Sequence, residues 1–220
     1  MAGDSNATKA RLLDAAFSEF AEHGLAGARV DRIAASAGAN KRLIYVYFGN
    51  KEQLFDRVIE RCVAEGTEAV PFDVDDLPQY AGALFDHLVD RPDLVRLVTW
   101  KQLERPGPVP PETMASWEGK LDALGAAQDL GRVDSALDPA DILNLTLALA
   151  QAWFTAAGEM AEVEPSASPT PSASASTAAS PSSPSANGSS SQARSRSQAR
   201  SRQRAAVVET VRRMTTPRSP

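Results

Sequence analysis

Residues 40–51, NKRLIYVYFGNK, combine basic and aromatic side chains around two asparagines. Asparagine is a favoured helix N-cap because its side-chain oxygen accepts a backbone N–H, so Asn40 and Asn50 each predict a helix start. Lys41 and Lys51 follow at the first helical positions, where the positive end of the helix dipole disfavours a cation by about 0.3–1 kcal/mol. A bound phosphate would offset that cost, because helix N-termini bind anions through their free N–H groups. The pattern therefore predicts two anion sites close together in the sequence.

Helical periodicity divides the side chains of residues 40–48 between two faces. Ile44 and Phe48 form the inward edge, and the opposite face carries Arg42, Leu43 and Val46, flanked by Tyr45 and Tyr47. Such a helix suits a DNA major groove, since arginine can donate two bonds to a guanine edge and apolar side chains can contact a thymine methyl. The tyrosine hydroxyls could reach phosphates on the groove walls. The same residue types would also suit a solvated basic surface whose tyrosines lie in the core.

The elements that must position this helix are predicted to be helices too. Residues 29–37 predict a short helix, and the glycine-containing turn at 38–39 joins it to the next one. Two short helices joined in this way fit a helix-turn-helix. Further helices are predicted at 8–23, ending at Gly24, and at 50–65.

The following hundred residues also show helical spacing. Helices are expected near 78–90, 92–105, 111–130 and 138–161, separated by proline-rich or acidic links. No stretch shows sustained strand alternation with hairpin turns. The predicted fold class is therefore all-α, with an N-terminal helix-turn-helix domain over 1–65 and a second helical domain over 66–163.

Charge is distributed unevenly along the 220 residues, whose net charge is −5. Residues 1–65 are neutral overall, residues 66–162 carry −11 and residues 163–220 carry +6. The acidic total therefore does not exclude nucleic-acid binding, which depends on local basic patches.

Cysteine usage and hydropathy bear on the compartment. The single cysteine, Cys62, cannot form an intramolecular disulfide, which favours a reducing environment. The N-terminus has no apolar run fit for a signal peptide, and the longest apolar stretch, 142–157, is shorter than a membrane span and interrupted by polar residues. These observations predict a cytoplasmic protein without a membrane partner.

Residues 164–206 contain no aliphatic side chain larger than alanine other than proline, and no aromatic residue. Such a segment cannot bury enough apolar surface to offset its ordering entropy, so an insert at 164–203 is predicted to be disordered. It includes a tandem SQARSR repeat at 191–202. A last helix, 204–216, has an apolar stripe that is predicted to pack back on the second helical domain.

The arginine repeat has more than one interpretation. Disordered arginine-rich segments can bind nucleic acid by charge alone, so residues 194–204 could add non-specific DNA affinity. The alternatives are a solubilising insert or a contact with the acidic domain of the same chain.

Residues 8–62 resemble the DNA-binding domain of TetR/AcrR-family transcription regulators. The resemblance rests on TKARLLDAAFSEFAEHG, ARVDRIAASAG and ANKRLIYVYFGNKEQLF, with a Tyr-x-x-Phe run followed by Asn-Lys-Glu-x-Leu. It implies a homodimeric, DNA-binding regulator, with dimers built through the last two helices and a small ligand bound in the C-terminal domain. Residues 66–163 would then form the regulatory and dimerisation domain. The DNA contacts it implies fall on Arg29, Lys41, Arg42, Leu43, Tyr45, Val46, Tyr47 and Lys51.

Two positions depart from the pattern of that family. Ala28 stands where the family often has a serine or threonine cap, and Arg42 stands where a small residue is common. The arginine suggests a different operator sequence. The insert before the last helix is also not a family feature, and it separates the two helices implied in dimerisation.

Apolar and aromatic residues of the C-terminal half could line an effector cavity. The predicted lining comprises Phe85, Leu97, Trp100, Trp117, Leu149 and Trp153. Each of them could equally be ordinary core.

The expected partners are a palindromic double-stranded DNA operator, a second copy of the chain and a small-molecule effector. No Ser-His-Asp set, paired carboxylates, phosphate loop or metal-ligand spacing stands out, so neither an enzyme nor a metal or cofactor is expected. The alternatives are a constitutive architectural DNA binder aided by the basic tail, and an enzyme of the helical domain.

Overall fold

The computed structural model describes residues 2–107, 111–160 and 188–217, and within these ranges every regular element is a helix. The all-α prediction is confirmed. The N-terminal helices are α1 (Ala2–Gly27), α2 (Val30–Ser36), α3 (Lys41–Phe48) and α4 (Lys51–Ala69). The others are α5 (Leu77–Asp90), α6 (Pro92–Glu104), α7 (Pro111–Asp129), α8 (Pro139–Met160) and α9 (Gly188–Thr215).

The helix boundaries around α3 follow from local side-chain chemistry. Asn40 Oδ1 accepts the backbone N–H of Arg42 at 2.8 Å, and Asn50 Oδ1 accepts that of Gln53 at 2.7 Å. Both bonds satisfy amides that lack a partner inside the helix, as expected for asparagine N-caps. Both predicted helix starts are therefore confirmed.

Gly24 interrupts the first helix at the predicted position. Its backbone angles, φ 68° and ψ −177°, lie in a region that is essentially restricted to glycine. A Cβ there would lie 2.9 Å from Glu104 Oε2 and 3.0 Å from the Trp100 ring. The glycine therefore permits both the bend and the close approach of α6.

The N-terminal core includes side chains from beyond the predicted domain boundary. Phe20 of α1 and Phe55 of α4 pack edge to face, with ring centroids 5.0 Å apart. Leu94 and Leu97 of α6 are buried in the same cluster. The N-terminal domain thus shares its core with a helix assigned by sequence to the second helical domain.

Polar contacts reinforce this attachment of α6. Glu104 Oε2 accepts the backbone N–H groups of Leu25 and Ala26, just after the Gly24 interruption. Arg105 forms a two-pronged ion pair with Asp56 of α4, with both N–O distances at 2.7 Å. The end of α6 therefore clamps α1 and α4 together.

A second core lies between α5, α7, α8 and α9. Phe85, Leu124, Ile142 and Val211 are fully buried in it. Val207, one turn before Val211, is 2% exposed. The predicted apolar stripe of the last helix therefore packs back on the regulatory domain as expected.

The last helix begins earlier than predicted, at Gly188 rather than near residue 204. The prediction of disorder over 188–203 is thus wrong, and residues 164–187 lie outside the described residues. Alanine, arginine and glutamine have high helix propensity. Ion pairs also bind this stretch to α5: Arg204 lies 2.6 Å from Asp86, and Arg200 lies 3.0 Å from Asp90. The prediction of disorder considered only the lack of apolar side chains, so it took no account of helix propensity or of the ion pairs with α5.

Candidate nucleic-acid interface

The outward face of α3 is exposed in the central positions that the helical pattern indicated. Ile44 is fully buried beneath the helix, whereas Val46 is 64% exposed and Tyr45 is 47% exposed. Exposed apolar and aromatic side chains on a helix of eight residues are unusual for a purely solvated surface. The side chains of Val46 and Tyr45 are therefore accessible to another molecule.

Arg42 lies at the start of α3 and is exposed. Its backbone N–H is taken by the Asn40 cap. Among the described residues, no acceptor or carboxylate engages its guanidinium group. Five N–H donors are thus available for recognition.

Leu43 was predicted on the outward face of α3 and Tyr47 beside that face, but neither side chain is fully exposed. Both are partly buried against the N-terminal core. The Tyr47 hydroxyl accepts a hydrogen bond from Ser5 Oγ at 3.3 Å, and Lys9 Nζ lies 5.1 Å from the centre of its ring. Tyr47 lies on the side of α3 that faces α1, so it contacts α1, whereas Tyr45 on the opposite flank is exposed. The sequence pattern predicted a helix only from residue 8 onwards, so it gave no indication that Ser5 would contact Tyr47.

Lys41 forms an ion pair with Asp31 of α2, with 2.9 Å between Nζ and Oδ1. The hydrogen bond with Asp31 raises the pKa of Lys41, and the same bond lowers the pKa of Asp31. Both side chains are largely exposed, so the pair is open to competition from a phosphate. Nothing in the spacing of these residues predicted the pair.

Lys51 points back towards the end of α1. Its Nζ donates to the carbonyl oxygens of Ala28 at 3.2 Å and Ala26 at 3.4 Å. These carbonyl oxygens stabilise the Lys51 ammonium, so a cation at the first turn of α4 does not require a bound phosphate. An ammonium has three donors, so one N–H of Lys51 remains for a further acceptor.

Arg29 precedes α2 and is exposed. Its backbone N–H donates to Glu19 Oε1 at 2.8 Å, and Arg32 Nε donates to the same oxygen. Burial acts to raise the pKa of Glu19, but these hydrogen bonds outweigh it and hold the pKa below its usual value. Glu19 thus fixes the chain just before α2, whose N-cap position, Arg29, has no side-chain cap of its own.

Arg29, Lys41, Arg42, Tyr45 and Val46 are therefore all exposed on the second helix of a helix-turn-helix or just before its first helix. Two family sequence models match the chain. One, described as "Bacterial regulatory proteins, tetR family", covers residues 12–58, and the other, "Tetracyclin repressor-like, C-terminal domain", covers residues 76–179.

The HTH-type transcriptional repressor SCO4008 of Streptomyces coelicolor is 39% identical over 165 residues, which are 74% of this chain and 85% of that protein. This chain belongs to the TetR family. It is a DNA-binding transcription regulator.

Other similar proteins agree with this assignment. The HTH-type transcriptional repressor NicS of Pseudomonas putida is 31% identical over 111 residues, covering 47% of this chain and 52% of that protein. The crystal structure of the transcriptional regulator SCO4942 from Streptomyces coelicolor superposes with a TM-score of 0.71 at 38% identity, covering 94% of this chain and 98% of that one.

The residues predicted to line an effector cavity do not meet in this TetR-family regulator. Phe85, Leu149 and Trp153 belong to the C-terminal core, whereas Leu97 belongs to the N-terminal core. Trp100 packs beside Gly24, and Trp117 is 39% exposed. These residues therefore do not form one buried cluster in the described chain, and the effector cavity stays a prediction. Spacing along helices identified apolar faces but could not assign them to one core or the other.

Other kinds of site find little support in the described ranges. No group of three or more His, Cys, Asp or Glu side chains there could hold a metal ion. None of the described helices is both long and apolar enough to cross a bilayer. Cys62 is buried, and burial raises the pKa of its thiol to about 11, so it remains a neutral packing group at neutral pH.

Proposed function

We propose that this regulator is a homodimeric repressor that binds a palindromic operator and is released by a small molecule. The observation that carries the proposal is the unpartnered, exposed Arg42 beside exposed Tyr45 and Val46 on α3. Repression is supported by SCO4008 and NicS, both of which are named transcriptional repressors. Acting on operator DNA would place the protein in the cytoplasm.

The proposed contacts divide into two kinds. Arg42 and Val46 read base edges, because arginine matches guanine and a valine methyl matches thymine. Arg29, Lys41 and Lys51 bind phosphates, which position the head without reading the sequence. Tyr45 reaches the groove wall, while Leu43 and Tyr47 hold α3 against the core from its buried side.

Dimer formation is proposed through the C-terminal helices. Leu145, in the long apolar helix α8, is 43% exposed in the single chain. An exposed leucine on such a helix favours contact with an equivalent helix of a second copy. Measurement of molar mass by light scattering tests this assembly directly, and a monomer at micromolar concentration would contradict it.

Selection of bound sequences from a random DNA pool tests the function as a whole. We expect an inverted repeat whose half-sites lie one or more helical turns apart, as two symmetric heads require. Recovery of sequences without any shared pattern would instead indicate an architectural DNA binder. Arg200 and Arg204 argue against that alternative, since Asp86 and Asp90 already engage them.

A further inference from the structure

A cleft of about 680 Å³ separates the DNA-binding head from the first part of α7. Its apolar lining comes from Leu13 of α1, Phe48 of α3, and Val63 and Ala64 of α4. Clefts of roughly 300–1,000 Å³ accommodate small organic ligands. It lies apart from the C-terminal core and contains none of the six residues predicted to line an effector cavity.

Among the residues that line this cleft, one buried hydrogen-bond donor in the described chain has no acceptor. It is Arg61 Nε, although Glu65 Oε1 lies 3.4 Å away and Nη1 of the same guanidinium pairs with Asp14 at 2.8 Å. Thr113 of α7, which is 7% exposed, adds a hydroxyl group to the lining. Buried donors in proteins are normally satisfied, so an unsatisfied donor beside a cleft favours a ligand that supplies an acceptor.

The charge of the cleft favours an anion. Its lining has three basic side chains, Lys9, Arg57 and Arg61, and two acidic ones, Glu60 and Glu68. Arg57 and Glu60 form an ion pair at 2.7 Å. The Lys9 ammonium lies over the Tyr47 ring, with no carboxylate pairing it in the described part of the chain. A ligand with one negative group would supply a charged partner for Lys9 and an acceptor for Arg61 Nε.

We infer that this cleft binds an amphipathic monoanion, with a carboxylate or sulfonate near Lys9 and an aromatic or aliphatic body against Phe48 and Val63. Tyr47 and Phe48 belong to α3, the helix that carries the base-reading residues. A ligand that shifts them would change the presentation of α3. This second consequence rests on the proposed function, whereas binding of the anion does not.

Two fluorescent probes with the same aromatic body test the site. 8-Anilinonaphthalene-1-sulfonate carries one negative charge, and N-phenyl-1-naphthylamine is its uncharged counterpart. Titration of the full chain without DNA is expected to show saturable binding of both probes. Lys9→Met should weaken the sulfonate about tenfold, as for a lost charge-assisted bond, and change the neutral probe less than about twofold.

Matched variants locate the binding. Ala64→Trp fills the cleft and is expected to abolish binding of both probes, whereas Ala126→Trp adds the same side chain at an exposed position of α7 outside it. Lys120→Met is the control for Lys9→Met, because Lys120 also lies over aromatic rings, 5.8 Å from those of Phe72 and Tyr80. Circular dichroism confirms that each variant is helical.

Two results would overturn the inference. One is equal sulfonate binding by wild type and a folded Ala64→Trp; the other is a Lys9→Met variant that loses both probes to the same extent.

DNA is added only afterwards, as an operator fragment from the random-pool selection. If the sulfonate binds but leaves DNA affinity unchanged, the inference that the cleft binds an anion is supported. The inference that the ligand changes the presentation of α3 is then contradicted. If no DNA is bound at all, the proposed function fails and the binding result is unaffected.

Discussion

Arg42 is the residue that we propose reads a base, since it is exposed and its guanidinium group has no partner in the described chain. Arg42→Ala should reduce discrimination at one position of each half-site by about 1–3 kcal/mol. The measurement is a comparison of sequences selected by variant and wild type. Arg96→Ala, on the exposed side of α6, is the control. An unchanged preference in the Arg42 variant would remove the groove assignment.

Lys51 illustrates how a residue's local position can differ from its tertiary role. Lys51→Met removes the donors to the Ala26 and Ala28 carbonyls, and should lower the free energy of unfolding by about 1 kcal/mol. Lys41→Met is the matched control, because its exposed pair with Asp31 contributes little. Urea unfolding distinguishes the two. Equal stability of both variants would mean that the Lys51 bonds are not maintained in solution.

The residue scale also shows what the sequence could predict at the candidate interface. Asn40, Asn50 and buried Ile44 followed from capping chemistry and helical periodicity, which act within a few residues. The contact of Tyr47 with Ser5 did not, because it joins residues 42 positions apart. Such contacts depend on how α1 crosses α3, which no local pattern encodes.

At the scale of elements, the interruption of α1 at Gly24 allows α6 to approach. Gly24→Ala should destabilise the chain both through its backbone angles and through contact with Glu104 and Trp100. Gly38→Ala also has a positive φ, but its Cβ would meet nothing within 4 Å. Thermal unfolding should therefore show the larger loss for Gly24→Ala. A smaller loss than at Gly38 would contradict the close packing of α6.

The attachment of α9 depends on two kinds of contact with different energies. Val211→Ala removes fully buried methyl groups and should cost about 2 kcal/mol. Arg204→Met breaks a partly exposed pair with Asp86 and should cost less than about 1 kcal/mol. Urea unfolding at neutral pH compares them. The reverse order would show that charge, rather than burial, attaches the last helix.

These contacts also explain why the length of α9 was underestimated from sequence. Val207 and Val211 gave a recognisable apolar stripe, and the sequence placed the helix only as far as that stripe extended. The preceding turns depend on Asp86 and Asp90, more than a hundred residues earlier. A prediction based on neighbouring residues in the sequence cannot identify a helix that is stabilised by distant partners.

At the scale of the molecule, α6 joins two regions that the sequence divides at residue 65. Leu94 and Leu97 complete the N-terminal core, so a fragment of residues 1–70 would expose part of it. A fragment of residues 1–107 retains these side chains and the Arg105–Asp56 pair. We expect the longer fragment to melt at a higher temperature by calorimetry. Equal melting temperatures would show that α6 adds nothing to the head.

The carboxylate of Glu104 has a practical consequence for building hybrid regulators. It supplies the acceptor for two backbone amides of the head, those of Leu25 and Ala26. A chimera joined at residue 65 would place a foreign helix beside Gly24, with no acceptor at that point and no matching shape. Transplanting the operator specificity of this chain to another effector domain therefore calls for a junction after Arg105.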